Sequence, residues 1–231
     1  TTHGTLTGDI PRAQILLSPR VGVEWEDNGL TLRGSAGIYT GRIPFVWLSN
    51  AYQNTGLRSV GVTVNNQAET PAFNLNPESV GIASNPAIDL VDSSFRYPQV
   101  FRAAVTARYT IGGWAFQLDA DYTKGINQIF VENLVAEDFG KRLYFGGEGS
   151  HSSATYYTAN TADYSAVYRL SNTQRGYSWS ATARIEYDFA AIAPGLKFMA
   201  AYTYTSSRSV NDGVSAQSSS NWGRTYAVDS N

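Results

Sequence analysis

The sequence predicts an all-β fold in which antiparallel strands form the wall of a transmembrane β-barrel. Three observations predict it. Six segments alternate between apolar and polar residues, aromatic residues gather at both ends of the apolar faces, and short turns alternate with long connections. A period of two places successive side chains on opposite faces of a strand. A wall between lipid and a wet lumen requires such a pattern.

The first predicted hairpin joins a strand from Ile15 to Trp25 with one from Leu30 to Thr40. One face of each strand is mainly aliphatic, and the other carries Ser, Thr, Arg and Glu. Asn28-Gly29 predicts a tight turn because both residues adopt positive φ readily. Pro19 cannot donate a ladder hydrogen bond, so we expect a bulge or a sheet edge there.

Two further hairpins follow the same pattern. Their strands run from Phe101 to Thr110, Trp114 to Thr123, Tyr177 to Phe189 and Leu196 to Tyr204. Ile111-Gly112-Gly113 predicts one turn, and Ala190 to Gly195 the other. Connections of about fifty residues or more separate the hairpins, which is unusual in compact soluble domains. Within the second connection, Ile126 to Val135 and Ala166 to Leu170 are either strand extensions or loop.

Charged residues are absent from the apolar faces of the six predicted strands. Those that we expect to face the lumen, with plug or substrate contact as their role, are Arg20, Arg33, Arg102, Arg108, Asp119, Asp121, Arg184 and Glu186. A hairpin should bring Arg102 and Arg108 opposite Asp119 and Asp121, and Arg184 should pair with Glu186. A solvated charge ladder is one interpretation of this set, and direct substrate binding is the other.

Aromatic residues at the strand ends predict two membrane girdles. They are Trp25, Phe101, Tyr109, Trp114, Tyr122, Tyr177, Trp179, Tyr187, Phe189, Tyr202 and Tyr204. At about 3.3 Å per residue and a tilt near 40°, Trp114 to Tyr122 spans about 20 Å of membrane depth. A soluble antiparallel sandwich also alternates and hides aromatics. Its core usually has large aliphatic residues at the centre, whereas these faces carry mostly Ala, Val and Leu there.

Composition narrows the class of protein. The chain has 231 residues with 15 Tyr, 10 Phe, 5 Trp and 21 Gly, which favours β-structure with turns. It contains no apolar run long enough for a membrane-spanning helix. The absence of cysteine excludes disulfides and thiolate metal sites. A net charge of −2 gives no bulk field that favours nucleic acid, and we expect no nucleic-acid partner and no cofactor.

Catalytic and metal motifs are weak. His151 stands beside two serines but has no carboxylate at a useful spacing, so we expect neither an enzyme nor a metal site. Gly146–Gly149 lacks the strand-to-helix context of a phosphate loop. The substrate candidates in the predicted outer loops are Trp47, Asn50, Tyr52, Tyr156 and Tyr157. Such residues grip sugars or peptides in some proteins and only pack the loop in others.

Four segments carry a resemblance to a known family: Ser18–Gly22, Gly37–Asn50, Leu170–Tyr177, and Ser207–Gly213 leading to Asn221–Trp222. They resemble, in the same order, segments of TonB-dependent outer-membrane receptors of Bacteroidota, most closely the Oar-like subfamily that carries a carboxypeptidase-regulatory-like domain. The resemblance implies a barrel of about twenty-two strands with an N-terminal plug. It also implies a TonB box that couples nutrient uptake to the inner membrane.

On this interpretation residues 1–231 are an internal fragment of the barrel domain, without plug or TonB box. Its expected partners are outer-membrane lipid, TonB through the missing N-terminal part, and an unidentified nutrient. Whether a surface lipoprotein covers the barrel stays open. The expected location is the outer membrane of a Gram-negative cell. The alternative function is that of a soluble extracellular β-sandwich that binds carbohydrate or a protein partner.

Overall fold

The computed structural model describes residues 11, 13–55, 86–144, 153–159, 164–210, 213 and 215–225, with the backbone alone for 136–144, 153–159 and 223–225. These residues form mostly antiparallel β-structure with two short helices. The elements are β1 (Arg20–Asp27), β2 (Leu30–Thr40), α1 (Phe45–Gln53), β3 (Ala87–Val91), β4 (Gln99–Ile111), β5 (Trp114–Gly125), β6 (Gln128–Asn133), β7 (Ala136–Tyr144), β8 (Ser153–Ala159), β9 (Ala166–Thr173), β10 (Tyr177–Asp188), β11 (Lys197–Arg208) and α2 (Ser218–Thr225). The predicted all-β class is confirmed.

The six predicted strands form one antiparallel sheet in the order β1-β2-β4-β5-β10-β11. Their prediction is confirmed, although β1 begins at Arg20 and not at Ile15. Pro19 precedes β1, and its carbonyl accepts the N–H of Ile38 at 2.9 Å, so pairing continues without an N–H from the proline. Within the described part of the chain this sheet is open, with β1 and β11 at its edges.

Two-residue turns set the register of the first two hairpins. Asn28 and Gly29 have φ of 45° and 81°, and Gly112 and Gly113 have φ of 53° and 84°. Positive φ at both central residues is the geometry whose twist matches that of the flanking strands. Both turns lie at the predicted positions, and the first pairs next to them are Asp27–Leu30 and Ile111–Trp114.

The strand registers divide the sheet into two faces. We call polar face the side that carries Glu24, Arg33, Arg108, Asp119 and Glu186, and apolar face the side that carries Val23, Leu32, Val105, Leu118 and Ile185. The predicted segregation of charge holds over the predicted segments. The strands extend further at their ends, where Asp27, Lys124 and Arg208 take positions on the apolar face.

The second long connection extends the β5–β10 hairpin. The last β5–β10 pair and the first β6–β9 pair are four residues apart in both strands, so the two ladders share one register. These pairs are Lys124–Tyr177 and Gln128–Thr173. The interpretation as strand extensions is therefore confirmed for Ala166–Leu170 and for Gln128–Asn133, whereas the two residues at each end of Ile126–Val135 lie outside the strand. Strand β3 adds to β9 in parallel, and β7 pairs with β8.

The hydrophobic core lies beside the six-stranded sheet and not on it. One buried cluster contains Trp47, Ala51, Val91, Phe95, Val131 and Leu170, and a second contains Ile88, Leu90, Val135 and Val167. Among the described residues, Ala115 is the only buried apolar side chain that the six-stranded sheet contributes. We call the unit formed by α1, β3, β6, β9 and α2 the cap.

Helix α1 joins the cap through one face. It begins after Pro44 and buries Trp47, Asn50 and Ala51, whose spacing of three and four residues places them on the same side. Trp222 of α2 lies against the same cluster, with its ring 6.2 Å from that of Tyr168. Neither α1 nor α2 is long and apolar enough to cross a membrane.

The two turns give a matched test of the register. A Cβ at Gly29 would lie 2.6 Å from the Thr110 carbonyl oxygen, whereas one at Gly112 would meet nothing within 4 Å. Both glycines have positive φ, which costs another residue about 1–3 kcal/mol. We therefore expect Gly29→Ala to lower the thermal unfolding midpoint more than Gly112→Ala does, as measured by circular dichroism. Equal losses would contradict the assigned contact.

Candidate functional site

An ion network occupies the polar face near the short turns. Arg108 donates to Gln117 Oε1 at 3.1 Å and to Glu186 Oε2 at 3.2 Å. Arg184 donates to the same Gln117 oxygen at 2.6 Å and lies 3.3 Å from Glu186 Oε1. Gln117 donates in turn to Asp119 Oδ2 at 2.8 Å. Two arginines and two carboxylates thus form an electrically balanced network across β4, β5 and β10.

The carboxylates of β5 have different partners from those expected. Asp119 lies opposite Thr106, whose hydroxyl donates to Asp119 Oδ1 at 2.7 Å, and Asp121 lies opposite an alanine. The expected placement of Arg102 and Arg108 opposite these aspartates is therefore wrong. The two-residue turn fixes the pairing, and positions equally distant from it face each other. The expected contact between Arg184 and Glu186 is confirmed.

In a soluble sheet the apolar face is buried and the polar face is exposed. On β5 the apolar face is the more exposed of the two. On β5, Ala115 is buried and Gln117 and Asp119 are half-buried, whereas Phe116 and Leu118 are 43% and 62% exposed. Similar exposure extends over the apolar residues of the neighbouring strands, including Val21, Val23, Val105 and Tyr202. Polar side chains shield one another, and no described residue covers the apolar ones.

Of the remaining predicted lumen residues, Arg33 lies toward the short turns in the row of Asp119, whereas Arg20 and Arg102 lie at the long-connection end of the polar face. Arg33 donates to Glu24 Oε1 at 2.9 Å in an exposed pair. The guanidinium groups of Arg20 and Arg102 both lie over the ring of Tyr39, with their Cζ atoms 4.3 Å and 5.6 Å from its centroid. All eight predicted lumen-facing charges thus lie on the polar face.

The cap lies over the part of the long-connection end of the polar face that β5, β10 and β11 form, whereas Arg20 and Arg102 at the same end are exposed. A cavity of about 360 Å³ lies beneath the cap, and its lining includes Trp47, Thr123, Gln128, Ser178 and Ser207. Thr123, Ser178 and Ser207 belong to the polar face of the sheet, so α1 stands over that face.

Three of the predicted loop candidates lie in helix α1. The indole of Trp47 donates to the Ser215 carbonyl at 2.8 Å, and the amide of Asn50 donates to the Ala216 carbonyl at 2.8 Å. Both side chains are buried, and their donors hold the segment before α2 against the cap. Tyr52 is exposed and lines a separate apolar cavity of about 410 Å³ with Phe45 and other residues.

Most of the predicted girdle residues lie toward the two ends of the sheet, but Tyr202 lies in the register row of Leu118 at mid-strand, so its expected place at an end is wrong. Ten of them occupy apolar-face positions, and Phe189 directly follows β10. At the short-turn end, the Tyr187 ring lies 4.4 Å from that of Trp114 and 4.6 Å from that of Phe189. At the other end, the rings of Trp179 and Tyr204 are 5.2 Å apart. The aromatic groups therefore form two clusters along the strand direction.

Several predictions fall outside the described residues. His151 and Gly146–Gly149 lie there, and Tyr156 and Tyr157 lie in β8, where only the backbone is described. Among the residues that are described, no three acidic or histidine side chains come together in a way that could hold a metal ion.

Sequence reasoning missed Gln99, which joins the start of β4 to three other segments of the chain. Its amide donates to the Leu17 carbonyl at 3.1 Å and to Thr40 Oγ1 at 3.0 Å, and its Oε1 accepts from the amide of Asn127 at 3.1 Å. The Gln99 carbonyl also accepts the N–H groups of Ile126 and Asn127. No local pattern marks such a residue, because its partners come from three distant segments.

Comparisons with known proteins do not identify a family. No model of a known protein family matches the chain, and no curated protein matches it. The resemblance drawn from the short segments therefore stays a prediction.

The ion network gives a testable difference between two glutamates. Glu186→Gln leaves two half-buried arginines without their counterion, which should lower the free energy of unfolding by about 1–3 kcal/mol. Glu24→Gln removes only the exposed partner of Arg33, and exposed pairs contribute about 0–1 kcal/mol. Denaturant unfolding measures both. If Glu186→Gln costs no more than Glu24→Gln, the network is not structural.

A further expectation concerns acid stability. The hydroxyl and N–H of Ser94 donate to Asp92 Oδ1 and lower the pKa of this carboxyl, with burial opposing and Arg169 assisting. As pH falls, Asp92 takes up its proton in the unfolded state before it does so in the folded state. The stabilisation from Asp92 is therefore complete above the unfolded pKa of about 3.9 and is lost as pH falls below that value. Ser94→Ala should flatten this dependence between about pH 5 and 2 in thermal unfolding. Ser180→Ala, at 3.5 Å from Asp121, is the control, and a slope unchanged by Ser94→Ala would contradict the assignment.

Proposed function

We propose that this chain forms part of the barrel wall of a TonB-dependent transporter in a Gram-negative outer membrane. The observation that carries the proposal is the inverted exposure of the six-stranded sheet. Many of its apolar side chains stand open, while the charges of the network around Arg108, Arg184 and Glu186 lie half-buried against one another. In water an exposed apolar face of this extent is unfavourable, but in lipid it is the favourable arrangement.

Strand length and aromatic position support membrane insertion. The eight steps from Trp114 to Tyr122 cover about 20 Å of depth, close to the apolar band of about 25 Å in outer-membrane barrels. Both ends of this band carry exposed Trp or Tyr side chains, which favour the interface. Beyond the band, Lys124 and Arg208 flank Tyr177 on the apolar face, where cations can reach lipid headgroups.

The polar face supports a wet interior. Its charges pair mainly with one another in the described part of the sheet, and the sheet edges at β1 and β11 need further strands before a wall could close. We propose that these strands and a plug belong to the same receptor, as the family resemblance implies. The short turns would face the periplasm, and the cap would face outward.

The family-like segments converge in the structure although they are far apart in sequence. Ser18–Gly22 and Gly37–Asn50 meet where β1 begins and β2 ends. Leu170–Tyr177 and Ser207–Gly213 meet where β10 begins and β11 ends, and Trp222 packs on the cap core. All lie at the long-connection end of the sheet. Their shared position supports a common role in forming the outer mouth of a transporter.

In this proposal the receptor takes up a nutrient, with no chemistry performed by the wall. Lumen charges keep the passage wet, the outer loops capture the substrate, and TonB acts on a plug outside the described sheet. A surface lipoprotein lid would approach the cap. A transporter of this class requires a plug and a TonB box in the same polypeptide.

Membrane fractionation tests the location. Full-length protein should sediment with outer membranes of a Gram-negative host and require detergent for extraction. A water-soluble product that folds cooperatively without detergent would overturn the proposal and favour the extracellular sandwich.

A matched pair of lysines tests which face meets lipid. Leu118→Lys places a charge on the apolar face at mid-strand, which should cost about 2–4 kcal/mol and prevent stable insertion. Thr182→Lys places the same charge one residue away in depth but on the polar face, opposite Asp119, and should be tolerated. Heat-modified electrophoretic mobility reports folding in detergent. Equal tolerance of both lysines would contradict the lipid assignment.

A further inference from the structure

Three neighbouring strands present Arg20, Gly37 and Arg102 in one row of the polar face. Gly37 pairs with Arg20 on β1 and with Arg102 on β4. A Cβ at Gly37 would lie 2.8 Å from Arg20 Cγ and 3.0 Å from the Pro19 carbonyl oxygen. The Arg20 stem and the Pro19 carbonyl therefore already lie against the backbone of Gly37, and any other residue there would have to displace them.

The ring of Tyr39 orients both cations. Tyr39 lies two residues after Gly37 on the same face, and both guanidinium carbons lie within 6 Å of its centroid, at 4.3 Å and 5.6 Å. Cation–π attraction favours each contact separately. The two positive charges repel each other, however, so the cluster has an unfavourable electrostatic term that an anion would remove.

No counterion for these arginines is present among the residues that the structure describes. The other basic residues of the polar face, Arg33, Arg108, Arg184 and Lys197, each pair with a carboxylate at 2.9–3.3 Å. The next row toward the short turns contains Asp121. The β4 residue opposite Asp121 is an alanine, and among the described residues no ion pair joins Asp121 to Arg102.

Hydrogen-bond donors continue the same row across the sheet. Arg102 pairs with Thr123, which pairs with Ser178, which pairs with Ser207. The row thus contains two arginines, a glycine and three hydroxyl groups, and it contains no carboxylate. This composition favours a ligand that accepts hydrogen bonds and carries negative charge.

We propose that Arg20, Gly37, Tyr39 and Arg102 form a binding site for an anionic oxygen group, a carboxylate or a phosphate. The two guanidinium groups donate to the anion, Tyr39 holds them close together, and Gly37 leaves the space that the Arg20 stem occupies. The site lies beside the outer mouth of the proposed barrel but does not require a membrane. A failed fractionation test would therefore leave it standing.

Binding of inorganic pyrophosphate tests the site. The full chain in neutral detergent, or in buffer if it is soluble, is titrated calorimetrically at low ionic strength. We expect saturable binding that weakens as salt is added. Arg20→Gln and Arg102→Gln should each weaken it about tenfold or more, because each removes a charge-assisted hydrogen bond.

Matched variants distinguish binding at this site from a general effect of the positive charge on the polar face. Arg33→Gln removes a cation from the same face and should leave the affinity unchanged, since Arg33 is paired with Glu24. Tyr39→Phe keeps the ring and should retain binding, whereas Tyr39→Leu should weaken it. Gly37→Ala should weaken binding with both arginines present, because the added methyl group displaces the Arg20 stem, provided that circular dichroism shows a folded sheet. Undetectable binding to the parent, or equal loss in Arg33→Gln and Arg20→Gln, would overturn the proposal.

A second arm distinguishes a free anion from a lipid headgroup. Phosphatidylglycerol is added in mixed micelles, and its competition with pyrophosphate is measured in the parent and in Lys124→Gln. Competition that persists in Lys124→Gln identifies a headgroup phosphate at the arginine site. Absence of competition assigns the site to a free anion that enters from the polar side.

Discussion

Every charge on the six-stranded sheet depends for its position on the register of the strands. Because side chains alternate with a period of two, a slip by one residue would exchange the faces of a whole strand. The turns at Asn28-Gly29 and Gly112-Gly113 prevent such a slip in two hairpins through backbone angles that few other residues adopt. The network around Glu186 reinforces the same register across β4, β5 and β10. Turn chemistry and ion pairing thus specify one arrangement.

Local signals in the sequence predicted the six-stranded sheet, but they could not predict the cap. Alternation and turn residues are local, and they located all six strands and both faces. Strand β3 is buried on both faces and pairs in parallel with β9, which is almost eighty residues away. Such a strand shows no alternation. Helix α1 is short, and its buried face includes Asn50, a polar residue that periodicity analysis does not count as core.

Within the candidate site, counting residues outward from the two-residue turn gives the correct cross-strand pairs, whereas matching opposite charges gave wrong ones. Opposite charges on adjacent strands favoured Arg108 facing Asp119, yet the turn places Thr106 there and Gln117 opposite Arg108. The same count places Gly37 opposite Arg20. The contacts of Trp47 and Asn50 with the carbonyls before α2 were beyond such counting, because segments 166 or more residues apart meet only in the folded cap.

Charge on the polar face changes character along the strand direction. Near the short turns, arginines and carboxylates compensate one another, and their side chains are half-buried. Near the long connections, Arg20 and Arg102 are exposed, and the row that contains them is composed of donors. An anion approaching from the long-connection end would meet unpaired cations first and an electrically balanced network afterwards. Since a balanced network offers little net attraction at a distance, the field of this face should hold an anion at the long-connection end and not draw it along the strands.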